Sequence, residues 1–241
     1  MTAFLTSRLC VGQKKRRRLL EANGFQERLR QRWRDGARVL VISADPGAFQ
    51  RNDGVAEELR QAFSAAGFAV ESIAVCDRRD ESGARRLGDF DVLILTGGHV
   101  PTQNGYLKEL DLKRELAGFD GLLLAWSAGS MNCGETVYAL PEREGEGADP
   151  GYRRFLTGLG LSRQILIPHF SDLQDEVVDG MRTIREMAYP DSAGRRFLCM
   201  DDGGYLLVEN GGETLYGEAS LLRDGTLTRI CREGGALGLT L

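Results

Sequence analysis

The chain has 241 residues, of which 42% are hydrophobic, and this is enough apolar material for one substantial core. We therefore predict a single α/β domain over residues 1–241. The formal charge of −4 comes from 31 basic and 35 acidic residues mixed along the chain, so we expect no general attraction to nucleic acid or to anionic membranes.

Cysteine spacing and hydropathy bear on the cellular compartment. The five cysteines are an odd number and form no CxxC pair, which argues against a disulfide framework and against a zinc knuckle. No apolar run approaches the roughly 18 residues that a bilayer-spanning helix needs, and the N-terminus lacks the pattern of a signal peptide. We therefore expect a cytoplasmic protein in a reducing environment.

The first third of the chain predicts alternating strands and helices. A short strand is expected at 3–6, a surface helix at 22–34, and a solvated loop or helix start at the basic run 14–18. The run at 38–43 is apolar and rich in β-branched residues, and an amphipathic helix follows it at 54–67. A strand followed by such a helix begins a βαβ unit.

Further apolar runs follow the same pattern and predict strands at 68–75, 91–96, 121–126 and 165–168, with a helix at 175–188. Strands that are apolar at nearly every position are typical of a parallel sheet covered by helices on both faces. We predict a doubly wound, mostly parallel, flavodoxin-like sheet with its core at about 38–200. Ligands of such sheets bind beyond the carboxyl ends of the strands.

The C-terminal part changes character. Short strands at 197–200, 204–208, 214–220 and 226–231 are separated by turn signals such as Asn210-Gly211-Gly212 and Asp224-Gly225. These predict a C-terminal antiparallel β extension over about 197–231 that finishes the sheet.

Ser127 is the strongest candidate for chemistry. It follows the buried run 121–126 and precedes the small residues Ala128 and Gly129, which is the pattern of a sharp strand-to-helix turn that exposes a nucleophile. A serine hydroxyl becomes nucleophilic when a histidine removes its proton and a carboxylate orients that histidine. We predict that Ser127 is the nucleophile of a serine hydrolase.

Histidine is rare in this chain, since His99 and His169 are the two that it contains. His169 ends a predicted buried strand downstream of Ser127, and we predict that it is the base. His99 follows Gly97-Gly98 at another strand end and is the reserve candidate. The backbone N–H groups of Gly98 and Ala128 are expected to form the oxyanion hole.

The third member of the triad is open from spacing alone. Glu135, Glu142, Glu144 and Glu146 all lie between Ser127 and His169 in an acidic stretch. Glu135 falls about two helical turns past the serine and so far from its hydroxyl.

Three segments together resemble a known family: Gly97-Gly98 after an apolar strand, Trp126-Ser127-Ala128-Gly129, and Pro168-His169-Phe170. They resemble the serine peptidase family of aspartyl dipeptidase (dipeptidase E) and cyanophycinase, which has a class I glutamine amidotransferase-like fold. The resemblance covers about 38–220. It places the acid fifteen residues past the serine, at Glu142, and implies a Ser127, His169 and Glu142 triad.

The resemblance also implies a small peptide or amide substrate, with no metal or organic cofactor, and a monomer or homodimer. The segment after Gly98 departs from the usual family sequence, and we expect His99, Gln103 and Asn104 to lie at or near the substrate. Arg153, Arg154 and Arg163 are candidate partners for a substrate carboxylate.

Other functions stay open at this stage. A glutamine amidotransferase of this fold needs a cysteine at position 127, and Cys133 lies too far along the helix to replace it. An esterase or amidase of the α/β-hydrolase class has the same residue order, but its histidine normally follows the last strands. A catalytically silent member that binds a small molecule is the non-enzyme alternative.

Overall fold

The structure, a computed structural model, describes residues 1–12 and 17–239. Within them the strands are β1 (Thr2–Thr6), β2 (Cys10–Val11), β3 (Arg18–Leu19), β4 (Ala37–Ile42), β5 (Val70–Cys76), β6 (Val92–Leu95), β7 (Leu122–Trp126), β8 (Thr136–Tyr138), β9 (Phe155–Thr157), β10 (Ile165–Ile167), β11 (Val177–Val178), β12 (Met181–Arg182), β13 (Arg196–Met200), β14 (Tyr205–Glu209), β15 (Gly212–Tyr216), β16 (Ala219–Arg223), β17 (Thr226–Cys231) and β18 (Ala236–Leu239). The α-helices are α1 (Phe25–Arg30), α2 (Phe49–Ala65), α3 (Val100–Glu109), α4 (Leu112–Glu115), α5 (Ala128–Asn132), α6 (Phe170–Leu173) and α7 (Tyr189–Asp191).

The main sheet has eight strands in the order β18-β15-β14-β1-β7-β6-β4-β5. The neighbours from β1 to β5 are all parallel, whereas β14, β15 and β18 add antiparallel pairs on the other side of β1. The predicted α/β class is confirmed, as is the antiparallel C-terminal extension.

The parallel strands are covered on both faces, which explains their continuous apolar sequences. Val92 and Ile94 of β6 pack into one core with residues of α1 and α2, while Leu93 and Leu95 pack into the other with residues of α3 and α5. Because alternate side chains of a strand point to opposite faces, a strand in this position needs apolar residues throughout. The sheet is therefore doubly wound.

The strand that precedes His169, β10, lies in a second sheet of order β10-β13-β16-β17. The sequence predicted one sheet that the C-terminal strands complete, and this is wrong. The C-terminal strands divide between two sheets. β14, β15 and β18 extend the main sheet, whereas β13, β16 and β17 join β10. In the second sheet β10 pairs with β13 in parallel. This sheet has a core of its own, in which Tyr138 packs against Phe197 with ring centroids 4.6 Å apart. A three-residue apolar run does not specify its partner.

The predicted helix at 175–188 is wrong. Asp179 and Gly180 have φ of 52° and 79°, so they form a tight turn that joins β11 to β12, and a π-helical segment follows at 183–188. The Asp179 carboxylate accepts hydrogen bonds from the N–H groups of Gly145 and Gly147 at 2.7 Å each. The hydrophobic spacing of this segment matched a helix by chance, and the turn chemistry overrode it.

The two early helices differ from their predicted bounds. The first shortens to α1, because Asn23 and Gly24 adopt positive φ and interrupt its start. The second, α2, begins five residues earlier than predicted. Of the basic run 14–18, the first three residues lie outside the described residues, while Arg17 meets Glu58 of α2 and Arg18 begins β3.

All five cysteines are free thiols, in agreement with the prediction that they form no disulfide framework. Among the described residues, no helix combines the length and the apolar character that crossing a membrane requires.

Candidate active site

Ser127 stands at a strained turn between β7 and α5. Its φ of 51° and ψ of −120° belong to a region that non-glycine residues rarely adopt, which is the conformation expected of a nucleophile elbow. The Ser127 N–H donates to the carbonyl of Thr6 at 3.1 Å, and its own carbonyl accepts from Met131 N–H at 3.0 Å. These two bonds fix the turn from both sides.

Gly129 permits this turn because it lies directly against β6. A Cβ added at Gly129 would lie 2.4 Å from the Leu95 carbonyl oxygen, which is closer than real Cβ atoms come. The start of α5 can therefore rest on β6 when no side chain is present at this position.

His169 is hydrogen-bonded to the carboxylate of Asp202. The His169 Nδ1 atom lies 2.6 Å from Asp202 Oδ1. A carboxylate accepts hydrogen bonds, so the neutral ring carries its proton on Nδ1 and leaves Nε2 as its basic nitrogen. Burial by itself raises the pKa of Asp202, but the hydrogen bond and charge of His169 and the guanidinium of Arg8 outweigh it and hold the pKa below its ordinary value.

The predicted pairing of Glu142 with His169 is not formed in the structure, where Asp202 lies at His169 Nδ1. The carboxyl group of Glu142 faces the backbone N–H of Val100 at the start of α3. The residue as a whole is exposed, yet desolvation of its carboxyl group, together with nearby Glu146, raises its pKa to about 7.

His99 differs from His169 in its hydrogen-bond partners. Its Nδ1 lies 2.7 Å from Thr102 Oγ1, and its Nε2 lies 2.7 Å from Glu146 Oε1. The Nδ1 contact is a hydrogen bond, whereas Nε2 is buried beside the Glu146 carboxylate without a well-directed hydrogen bond. Burial lowers the pKa of His99 despite the charge of Glu146. His99 lines the second cavity described below and is not part of the wall around Ser127.

Ser127 and His169 line the same cavity, of about 240 Å³, together with Gly97, Gly98 and Arg8. Among the described residues no direct hydrogen bond joins the two side chains, as is common in structures without substrate. Gly98 has φ of 156°, and an added Cβ there would lie 2.7 Å from Ala44 Cβ, so a side chain at this part of the cavity wall would collide with Ala44. Ala128, the other predicted oxyanion donor, is fully buried directly after Ser127.

A second cavity, of about 550 Å³, adjoins the first at Gly97 and Gly98. It lies beyond the ends of β4 and β6, where the chain connections leave in opposite directions and where doubly wound sheets usually bind ligands. His99 lines this cavity, so it stays a candidate for substrate contact. The cleft walls carry more guanidinium than carboxylate groups: Arg8, Arg17, Arg51 and Arg143 against Asp45 and Glu58.

Other predicted substrate contacts are not supported. Gln103 is buried, and its side chain donates to the Thr96 carbonyl at 2.8 Å and accepts from Asn132 at 3.1 Å. Asn104 donates to Asn132 and to the Thr157 carbonyl. Both amides bond within the protein, and neither residue lines either cavity, so the structure gives their predicted role in substrate binding no support.

The arginines proposed as carboxylate partners are also misplaced. Arg154 is ion-paired with Asp191 at 2.5 Å, and within the described part of the chain neither Arg153 nor Arg163 lines either cavity. The guanidinium groups of the cleft come instead from the N-terminal part of the chain and from the loop at Arg143.

One cluster has the composition of a metal site. Ligand atoms of His169, Asp172 and Asp202 lie within 4.8 Å of one another. The Arg8 guanidinium already contacts both carboxylates, at 2.5 Å to Asp202 Oδ2 and 3.4 Å to Asp172 Oδ2. The negative charge of the cluster is thereby compensated by the protein, and its chemistry is that of an ion-pair network.

Sequence reasoning missed Asp202 because it searched for the acid between Ser127 and His169. A signal was present: the predicted strand 197–200 is followed directly by Asp201-Asp202-Gly203-Gly204, an acidic pair at a strand end. In the structure, Asp201 accepts from Ser171 N–H at 2.8 Å and so ties this turn to the start of α6.

Comparison with known proteins identifies the family. The family model of peptidase family S51 matches residues 15–215. The chain belongs to peptidase family S51. It is therefore a serine peptidase, and the resemblance drawn from its sequence is confirmed.

A crystal structure from Listeria monocytogenes EGD-e, of a protein described as a candidate peptidase E, is similar to this S51 peptidase. The TM-score is 0.54 at 14% identity, and the match covers 95% of this chain and 97% of the other. At this identity the likeness shows the fold. No curated protein matches the chain.

Gly129→Ala tests the close contact at the elbow. The added methyl group collides with the Leu95 carbonyl, so we expect the free energy of unfolding to fall by about 2 kcal/mol or more. Urea unfolding measures this loss, with Gly105→Ala as control, since an added Cβ at Gly105 meets no atom within 4 Å. Equal stability of the two variants would contradict the contact.

Asp202→Asn and Glu142→Gln separate the two candidate acids. Asparagine removes the charge and disturbs the proton position on His169, so we expect labelling by a fluorophosphonate probe to slow about 10³- to 10⁴-fold. Glu142→Gln should change the labelling rate little. The opposite ranking would restore Glu142 as the acid.

Proposed function

We propose that this serine peptidase hydrolyses a short peptide or amide bond with Ser127 as nucleophile, His169 as base and Asp202 as the orienting acid. The observation that carries the proposal is the contact of His169 Nδ1 with Asp202 Oδ1 at 2.6 Å. His169 lines the same cavity as Ser127. This contact leaves Nε2 as the basic nitrogen.

In the first half of the reaction, Ser127 Oγ attacks the carbonyl carbon and its proton moves to His169 Nε2. The carbonyl oxygen becomes an oxyanion, for which the N–H groups of Gly98 and Ala128 are the proposed donors. When the carbon–nitrogen bond breaks, Nε2 returns the proton to the leaving amine, and an ester of Ser127 remains.

In the second half, water attacks this ester and gives a proton to His169 Nε2. The bond between the acyl carbon and Ser127 Oγ breaks, and the proton returns to the serine oxygen. Asp202 stays ionised throughout and stabilises the imidazolium in both halves, which is consistent with its lowered pKa.

The charge of the cleft supports a substrate with an acidic group. Arg17 is ion-paired with Glu58 at 3.1 Å, whereas among the described residues no ion pair engages Arg51 or Arg143. An unpaired guanidinium is a good partner for a carboxylate. We therefore propose a dipeptidase-like activity that prefers acidic short peptides to basic ones.

Ser127→Ala tests the nucleophile. Because the change removes Oγ alone, we expect probe labelling and peptide hydrolysis to disappear while the melting temperature stays close to that of the wild-type protein. Mass spectrometry of the labelled peptide identifies the modified residue. Labelling that persists in the variant would contradict the assignment.

Arg143→Gln tests the substrate preference. Loss of a charge-assisted hydrogen bond should raise KM for an acidic dipeptide about tenfold. A neutral dipeptide of similar size serves as the matched comparison, and its KM should change little, as should the rate of probe labelling. An equal effect on both dipeptides would contradict recognition of the acidic group by Arg143.

A further inference from the structure

Arg8 lies just after β1, and it contacts the carboxylate of the proposed triad. Its Nε atom donates to Asp202 Oδ2 at 2.5 Å, while His169 Nδ1 meets the other oxygen, Oδ1, at 2.6 Å. The two oxygens of Asp202 are thus shared between a base and a permanent cation. The Arg8 side chain also lines the cavity that contains Ser127.

The backbone before Arg8 connects the two halves of the site. The Thr6 carbonyl accepts from Ser127 N–H at 3.1 Å and from Ser130 Oγ at 2.8 Å. Ser7 donates through its N–H to the Gly204 carbonyl at 3.3 Å and through its hydroxyl to the Met200 carbonyl at 3.1 Å. Residues 6–8 are therefore bonded both to the elbow and to the turn that carries Asp202.

We infer that Arg8 is a positioning residue of this peptidase, which holds the Asp202 carboxylate in the orientation that directs His169 toward Ser127. The inference rests on the proposed function, because it assigns Arg8 its role through that triad. Arg8 acts through Asp202 and has no part in the bond changes themselves.

Exposure of Asp202 is the reason that such a residue is needed. Its side chain is 36% exposed, so water competes for the oxygens of the carboxylate and the group can turn away from the ring. A planar guanidinium bound to Oδ2 fixes the plane of the carboxylate. The Asp202 side chain is one methylene shorter than that of a glutamate, so a small rotation of its carboxylate breaks the contact with His169 Nδ1.

Charge gives Arg8 a second effect. Arg8, Asp172 and Asp202 form one contact network beside His169, and Asp201 lies next to Asp202 after β13. The same cavity is also lined by Arg17, Arg51 and Glu58. Arg8 is the cation in direct contact with Asp202, so its removal leaves the carboxylates beside His169 less compensated, and we expect the pH profile of labelling to change.

The test measures the rate of fluorophosphonate labelling of the full chain from pH 5 to pH 9. For Arg8→Gln we expect a fall of about 10- to 100-fold in the maximal rate, because the triad loses its alignment. We also expect the acidic limb of the profile to move to higher pH, because a cation beside the carboxylate of the triad is lost. Arg8→Lys keeps the charge, so its limb should stay at the wild-type position while its maximal rate recovers in part.

Arg78→Gln is the matched control. The Arg78 side chain is 45% exposed against 46% for Arg8, it also contacts two carboxylates, Glu81 and Glu109, and it lines neither cavity. Its labelling profile should equal that of the wild-type protein. Thermal melting of each variant is measured alongside, and Arg8→Lys carries the test if Arg8→Gln does not fold.

The outcomes separate the two proposals. A wild-type chain that is not labelled at Ser127 overturns the proposed function and this inference with it. A labelled wild type with an unchanged Arg8→Gln profile overturns the role of Arg8 alone. A lower rate with an unmoved acidic limb in both Arg8 variants, matched by a loss of melting temperature, also overturns it, because that pattern belongs to a structural residue.

Discussion

The carbonyl oxygen of Thr6 is the acceptor on which the site depends. It receives the N–H of Ser127 and the hydroxyl of Ser130, and it lies at the end of β1 in the middle of the main sheet. A serine at positive φ is costly, and it persists when its surroundings fix it. The Thr6 carbonyl holds the Ser127 turn on one side, and the contact of Gly129 with Leu95 holds it on the other.

The two histidines differ in the partners of their ring nitrogens. Both lie beside a carboxylate, but His99 faces it with Nε2 and bonds a threonine through Nδ1, whereas His169 bonds its carboxylate through Nδ1. The acidic loop that held the candidate acids lies beside His99, and there Glu146 also accepts from the N–H groups of Glu142 and Arg143. The loop therefore shapes the cleft wall, and the acid of the proposed triad comes from the second sheet.

Local patterns predicted much of the fold. The parallel strands were found because strands covered on both faces need apolar residues at every position, and the turn at Ser127 was found because it needs small neighbours. The helix at 175–188 failed, since two residues at positive φ override a hydrophobic stripe. The bonds of Gln103 and Asn104 could not be predicted from spacing, because Asn132 and Thr157 lie 28 to 53 residues away in sequence.

The sequence by itself determined the α/β class, the elbow at Ser127 and a pair of histidines from which the base had to come. Tertiary structure decided which carboxylate meets His169, which sheet carries it, and that Arg8 lies against Asp202. The physical reason is separation along the chain: His169 and Asp202 are 33 residues apart, and Arg8 and Asp202 are 194 apart. Spacing specifies neighbours within one helix or strand, whereas contacts between elements follow from sheet order and strand ends.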